Sequence, residues 1–306
     1  VHPARAQRQH RRPLKTVSDS NQDPWSIKRV LAWATDDFKR RGNQSARLDA
    51  ELLLGEALGF DRIQLIVQAE RPLAEAELAR YRELIKRRRV GEPIAYILGR
   101  REFFALPMVV DRRVLIPRPD TEILVESALS GTNAQHLYGR MLDLCTGSGC
   151  VAIAFAKARP TWRVTAVDIS KDAASVAREN VRRAGVVHHL AVLEGDLFAA
   201  LPAGARFELI TANPPYIPSA DIAELAADVR DFEPRLALDG GADGLDVTRR
   251  IIAEAPQYLS PGGLLALEGG YDQAPAVAGL LESAGYTEIT RAKDLAGIER
   301  VVTGRR

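Results

Sequence analysis

Apolar positions recur every three or four residues over the first third of the chain and fall into short, strand-length blocks over the rest. That change of period divides the sequence. Trp25, Val30, Leu31, Ala34 and Phe38 share one helical face, and Gly42-Asn43 stops the pattern. Leu48, Leu52, Leu53 and Leu58 predict a second helix ending near Gly59. Pro72 opens a third, which carries Leu78, Tyr81, Leu84 and Ile85 until Gly91-Glu92-Pro93 breaks it. Residues 24–91 therefore read as a small helical domain. Over residues 92–118, Phe103, Phe104, Met108, Val109, Val110, Val114, Leu115 and Ile116 lie around Pro107 and Asp111-Arg112-Arg113, a pattern that predicts a β-hairpin linking two domains. From residue 119 to 306, strand candidates at 141–144, 164–167, 190–193, 209–211, 264–267, 289–291 and 301–303 alternate with helical stretches. That alternation predicts an α/β fold with a doubly wound, mainly parallel sheet.

Composition narrows the picture without deciding it. The 306 residues are 46% hydrophobic and 27% charged, enough for a large core or two medium ones. No apolar run approaches the ~18 residues of a spanning helix. Residues 1–23 are Arg-rich, polar and without an apolar segment, so they lack the central feature of a secretory signal. A disordered tail is the expectation there; an organelle transit peptide shares the same character. The net charge of +2 says little about partners, and runs such as Lys86-Arg87-Arg88-Arg89 read as solvated helix faces. Cys145 and Cys150 stand close together with no His or Cys cluster, which fits neither a zinc site nor a disulfide framework, so no metal is expected.

The first candidate chemistry is the glycine-rich segment Asp143-Leu144-Cys145-Thr146-Gly147-Ser148-Gly149-Cys150, between a short strand and a helical pattern. Such a turn lets backbone approach a ligand closely. Asp168 ends the next strand, where a carboxylate can accept both ribose hydroxyls; Asp196, followed by Leu197, ends the third and can accept from an adenine amino group. Gly147, Gly149 and Ala152 also satisfy the dinucleotide fingerprint, with Asp168 about 20 residues on. Asp143 favours S-adenosylmethionine instead: its carboxylate can meet the amino end of that donor and would repel a pyrophosphate.

The second candidate is Asn213-Pro214-Pro215-Tyr216, directly after an apolar strand. Two prolines fix an extended chain and remove two N–H donors, leaving the Asn213 side-chain oxygen and the Pro214 carbonyl as a row of acceptors. An –NH2 group fits between two such acceptors, and Tyr216 offers a planar acceptor group a flat face. Alone, the segment is ordinary turn chemistry. On the same sheet edge as the glycine-rich turn, it points to methyl transfer onto a planar nitrogen.

Residues 92–306 resemble the release factor glutamine methyltransferases, the HemK/PrmC group. The matching stretches are Glu92-Pro93-Ile94-Ala95-Tyr96-Ile97, Arg101-Glu102-Phe103-Phe104, Leu115-Ile116-Pro117-Arg118-Pro119-Asp120-Thr121-Glu122, the glycine-rich turn and Asn213-Pro214-Pro215-Tyr216. Arg230, Phe232-Glu233-Pro234, Asp239-Gly240-Gly241, Asp243-Gly244-Leu245-Asp246 and Ile298-Glu299-Arg300-Val301 match as well. The resemblance implies a Rossmann-like, seven-stranded class I methyltransferase domain preceded by a helical domain and a hairpin. It implies S-adenosyl-L-methionine as cofactor, held by Asp143, Cys145, Thr146, Gly147, Ser148, Gly149, Asp168, Asp196, Leu197 and Asn213. Asn213, Pro214 and Tyr216 would be catalytic; with Pro215 and Arg118 they would hold the glutamine of the Gly-Gly-Gln loop of peptide chain release factors. Cys145 stands where many members have glycine, and Glu268-Gly269-Gly270 lacks a more usual bulky middle residue.

Two acceptors compete with that one. The related methyltransferase of a large-subunit ribosomal protein typically carries a Ser-Pro variant of the 116–122 segment. Adenine-N6 nucleic-acid methyltransferases share Asn-Pro-Pro-Tyr but need a large basic recognition region. A nicotinamide-dependent oxidoreductase is disfavoured by Asp143, and a non-catalytic binding module has no use for an acceptor slot. The expectation is a monomeric cytoplasmic enzyme with a release factor as partner and no direct contact with nucleic acid or membrane.

Overall fold

The computed structural model describes residues 24–132 and 137–306, so the expected tail over 1–23 lies outside the described residues. The chain divides into two compact units between Arg82 and Glu83.

The first unit holds α1 (Ile27–Arg40), α2 (Ala46–Leu58), α3 (Arg62–Val67) and the start of α4 (Glu75–Arg89). In α1 the buried positions Ile27, Val30, Leu31, Ala34 and Phe38 follow helical spacing, and the Ser26 hydroxyl caps the first turn by accepting from the Arg29 N–H. α2 buries Ala46, Ala50, Leu53, Leu54 and Ala57, while Leu48 is exposed. Its face is rotated from the leucine pattern because Asp49 is drawn inward to accept from Asn43 Nδ2 at 2.7 Å and Ser45 Oγ at 3.0 Å. The six-residue α3, too short for a periodic signal, is set by a capping box between Asp61 and Gln64.

The unit boundary falls inside α4, earlier than residue 91. The last turns of that helix are tied forward: Arg87 makes two hydrogen bonds of 2.8 Å to Glu92 and donates to the Tyr96 and Ile97 carbonyls. After α5 (Ile94–Leu98), β1 (Arg100–Phe103) and β2 (Leu106–Val109) pair antiparallel. Their turn is Phe104-Ala105, with φ of 51° and 57°, the left-handed pair that a two-residue hairpin requires. Val114, Leu115 and Ile116 lie outside the strands. Asp111 folds back to accept from the Arg113 N–H at 3.0 Å and to pair with its guanidinium, so the extended pattern breaks there.

β3 (Arg140–Leu144), β4 (Arg163–Asp168), β5 (Leu190–Glu194), β6 (Phe207–Ala212), β7 (Leu259–Glu268), β8 (Thr287–Lys293) and β9 (Glu299–Arg305) form one seven-stranded sheet in the order β5-β4-β3-β6-β7-β9-β8. All neighbours are parallel except β9, which runs against both β7 and β8. The helices are α6 (Glu122–Gly131), α7 (Cys150–Ala158), α8 (Lys171–Ala184), α9 (Ala227–Arg230), α10 (Asp246–Glu254) and α11 (Ala274–Ser283). One apolar cluster packs α6, α7 and α8 on the sheet through Phe155, Trp162, Val125 and Val176; the other packs α10 and α11 through Ile251, Ile252, Val277 and Leu281. The doubly wound, mainly parallel sheet read from the alternation is therefore present. Strand order reverses between β3 and β6, and such a switch point opens a crevice at the carboxyl ends of the strands.

Candidate functional site

A cleft of about 410 Å³ opens at that switch point. It is lined by Asp143, Cys145, Thr146, Gly147 and Ser148 after β3, Asp168 after β4, Asp196 and Leu197 after β5, and Asn213 and Pro215 after β6. Arg118 and Thr121, from the segment before α6, close another side. The three strand ends and the Asn-Pro-Pro segment thus meet in one place. Gly149, Pro214 and Tyr216 are not among the lining residues.

The glycine-rich turn bends through three left-handed residues, Cys145 (φ 55°), Gly147 (φ 55°) and Gly149 (φ 81°). The first explains why glycine suits that position: a side chain there costs roughly 1–2 kcal/mol. At Gly149 an added Cβ would come within 3.3 Å of Ala177, so this glycine lets α7 and α8 pack closely. Burial raises the Cys145 thiol and pushes that of Cys150 up to about 12, leaving both as uncharged packing groups.

Two carboxylates hold the turn. Asp168 accepts the Gly147 N–H at 2.8 Å and the Ser170 N–H at 2.9 Å; burial raises its pKa and these two donors oppose the rise. Asp143 is buried and accepts from the hydroxyls of Thr146 at 2.6 Å and Thr211 at 2.7 Å. Desolvation pushes it up to about 6, with the nearby Asp168 adding to the rise. It therefore bonds β3 to its own turn and to β6, besides facing the cleft. Asn180 in α8 donates to the Ser148 carbonyl at 2.9 Å and exchanges two hydrogen bonds with Val109, anchoring hairpin and turn together.

Asp196 forms an ion pair with Arg250 at 2.8 Å, and Leu197 takes a left-handed φ of 49°. Asn213 Nδ2 donates to the Thr121 hydroxyl at 3.3 Å, and Thr121 donates to the buried Glu268 at 3.1 Å. The Tyr216 carbonyl accepts from Gln273 Nε2 at 2.9 Å. Gly240 and Gly244 bring the following loop against this backbone: a Cβ on Gly240 would lie 2.6 Å from the Pro215 oxygen. Burial, reinforced by Glu268, pushes the Tyr216 hydroxyl up to about 12, so it neither gains nor loses a proton near neutrality. Arg118 donates to Glu233 at 2.6 Å, and the Glu233 side chain is 1% exposed. Burial is the main cause of the raised Glu233 pKa, against the pull of Arg118.

The chain matches the PrmC N-terminal domain over residues 29–99 and the methyltransferase small domain over residues 120–228. It is 46% identical to the release factor glutamine methyltransferase of Geobacter sulfurreducens, covering 92% of this chain and 97% of that protein. It is 47% identical to that of Burkholderia pseudomallei, over 84% of this chain and 91% of the relative. The chain belongs to the release factor glutamine methyltransferase family. A methyltransferase structure from Pyrococcus furiosus superposes with a TM-score of 0.51 at 18% identity, covering 66% of this chain and 90% of that one, which supports the sheet architecture alone.

In this methyltransferase the sequence motifs identify the cleft's strand-end residues. Thr121, Asn180, Thr211, Glu233, Arg250 and Gln273, which orient those residues, carry no role in the motif reading. Thr121 and Glu233 stand within matched family segments, the only hint at them.

Proposed function

We propose that this methyltransferase transfers a methyl group from S-adenosyl-L-methionine to the side-chain amide nitrogen of the Gly-Gly-Gln glutamine in a peptide chain release factor. The observation that supports it best is the convergence of the glycine-rich turn, Asp168 and Asn213 on one cleft. The donor set suits a nucleoside-bearing cation. Asp168 accepts the ribose hydroxyls, Asp196 and Leu197 receive the adenine, and residues 145–149 follow the donor's amino-acid portion with backbone. Asp143 places a carboxylate near its amino end. When bound, S-adenosyl-L-methionine supplies an electrophilic methyl group on a positively charged sulfur.

The protein's contribution to the acceptor is orientation. An amide nitrogen is a weak nucleophile because its lone pair is delocalised into the carbonyl. The Asn213 side-chain oxygen and the Pro214 carbonyl take its two N–H hydrogens and steer the lone pair toward the methyl group. Both acceptors also stabilise the positive charge that develops on nitrogen, which then loses a proton to water or to them. Pro215 stiffens the slot and Arg118 guides the incoming loop. Tyr216, next to the slot, offers the planar amide a flat face, while its carbonyl is held by Gln273. The helices before residue 92 grip the protein substrate. We read the enzyme as a monomer acting in the cytoplasm, where a release factor would be its partner.

The test offers labelled S-adenosyl-L-methionine with a purified release factor, the large-subunit ribosomal protein or duplex DNA, followed by mass spectrometry. Label on the Gly-Gly-Gln glutamine is expected. Label confined to the ribosomal protein or to DNA would overturn the acceptor while keeping the nitrogen chemistry.

A further inference from the structure

We propose that Glu268 is a positioning residue for methyl transfer: through the Thr121 hydroxyl it fixes the Asn213 carboxamide with Nδ2 turned inward and Oδ1 left to the acceptor nitrogen. The inference rests on Asn213 serving the acceptor slot and adds what decides which way that side chain faces.

A carboxamide presents a donor at one end and an acceptor at the other, and its two orientations are nearly identical in shape. Only hydrogen-bond polarity can choose between them. Two groups act on the Asn213 carboxamide: the Thr121 hydroxyl, which by itself chooses nothing because it can donate or accept, and the Glu268 carboxyl, which also draws an Asn213 hydrogen. Thr121 has one hydrogen, and it is directed to Glu268 Oε1 at 3.1 Å. What remains on Thr121 Oγ1 is lone-pair density, so Asn213 must turn a hydrogen toward it, as the 3.3 Å contact from Nδ2 shows. The reverse orientation would set Oδ1 against an oxygen with no hydrogen left to give.

Glu268 suits this task by what surrounds it. It ends β7, is 3% exposed, and its Oε2 has no hydrogen-bond partner among the described residues. Arg300, whose charge acts on Glu268, forms its ion pairs elsewhere, with Asp294 at 2.8 Å and Asp120 at 3.1 Å. A carboxyl group left so poorly solvated is destabilising in itself, and an apolar residue would fill the space at less cost. Burial, with Asp120 adding to it, pushes Glu268 up to about 8, so near neutrality the neutral acid predominates. With its proton on Oε2, that acid still offers Oε1 to Thr121. The polarity is fixed outright in the ionised form, which can only accept, and holds in the neutral acid while its proton stays on Oε2.

The test combines Glu268→Met, Thr121→Val, Thr121→Ser and the Met/Val double variant. Turnover, KM for the release factor and calorimetric affinity for S-adenosyl-L-methionine are measured for each. Glu268→Met removes the acceptor, freeing the Thr121 hydrogen for Asn213 Oδ1 and allowing the carboxamide to flip. It is expected to lower kcat at least about tenfold while donor affinity stays within about twofold and the melting temperature is unchanged or higher. Thr121→Val should match it, Thr121→Ser should restore turnover, and the double variant should be no slower than either single one. A second readout needs no methyl acceptor: a nuclear Overhauser contact between the Asn213 Nδ2 hydrogens and the Thr121 methyl, present in the wild type and lost in Glu268→Met. Wild-type turnover in Glu268→Met or Thr121→Val, or absence of that contact in the wild type, would overturn the proposal. A wild-type enzyme that leaves the release factor unmethylated, yet shows the contact and its loss in Glu268→Met, would refute the acceptor reading and leave the orienting relay standing.

Discussion

The Asp168 carboxylate accepts the Gly147 N–H at 2.8 Å, so the end of one strand braces the glycine-rich turn that follows its neighbour. Asp168 has two tasks under the proposed function, holding the turn and accepting ribose hydroxyls. Asp168→Ala removes both. Hydrogen bonds to charged groups contribute roughly 1.5–3 kcal/mol each, so donor affinity should fall at least about tenfold. Asp168→Asn keeps one acceptor oxygen and should fall between the two. Calorimetric titration with S-adenosyl-L-methionine measures this directly, and an alanine variant that binds as the wild type does would remove the ribose role.

Asn213 lines the cleft while its amide nitrogen is held by Thr121. Replacing it with alanine deletes one of the two proposed acceptors without touching the turn or Asp168. Turnover on a release factor should drop by about 100-fold or more, the scale seen when one preorganised polar group is lost from a transition-state site. Donor binding should change far less. Normal turnover in Asn213→Ala would show that the slot lies elsewhere.

Much of this site was legible in the sequence because its ligand-facing groups sit at strand ends, where local pattern and motif coincide. The turn after β3, Asp168, Asp196 and Asn213 follow apolar strands, and the parallel sheet then brings those ends together. What escaped is the layer behind. Thr121 reaches Glu268 across 147 positions and Asn213 across 92, separations that no periodicity window spans. The hairpin is present but shorter than its apolar run. Its apolar run continues through Ile116, but Phe104-Ala105 makes the turn without the usual Asn or Gly, and the Asp111–Arg113 contact ends the extended pattern early.

The family resemblance gives Arg118 to the substrate, yet in the structure it pairs with Glu233, so its two roles need separating. Arg118→Ala leaves a carboxylate of 1% side-chain exposure without its cation. The expected cost is about 2–3 kcal/mol, at or below the usual range for half-broken buried pairs because Arg118 itself is partly exposed. Replacing both residues, as Arg118→Met with Glu233→Leu, should return most of that stability in chemical denaturation. If the recovered double variant still shows a raised KM for the release factor, Arg118 contacts the substrate. If KM recovers with stability, its function is to hold Glu233.

The buried Glu268 also sets a pH dependence whose sign can be worked out. Its carboxyl titrates near 4.5 when solvated and is pushed up to about 8 in the folded protein, chiefly by desolvation. Asp120 adds to that rise, while Arg300, Thr121 and Asn213 oppose it; Glu268 in turn raises its neighbours Tyr216 and Cys150. Between those two values the folded state carries a proton that the unfolded chain has released. Stability from this group is therefore full below about pH 4.5 and is lost progressively as the pH rises toward 8. Asp143, pushed up to about 6, contributes in the same direction over a lower window, so the whole-protein curve alone cannot isolate Glu268. The comparison with Glu268→Gln can, because that variant keeps the shape and loses the titration. Its denaturation free energy relative to wild type should increase steadily from pH 5 to pH 8 and then level off. Two curves that stay parallel over that interval would mean that Glu268 is already ionised in the folded protein, held by partners stronger than Thr121 and Asn213.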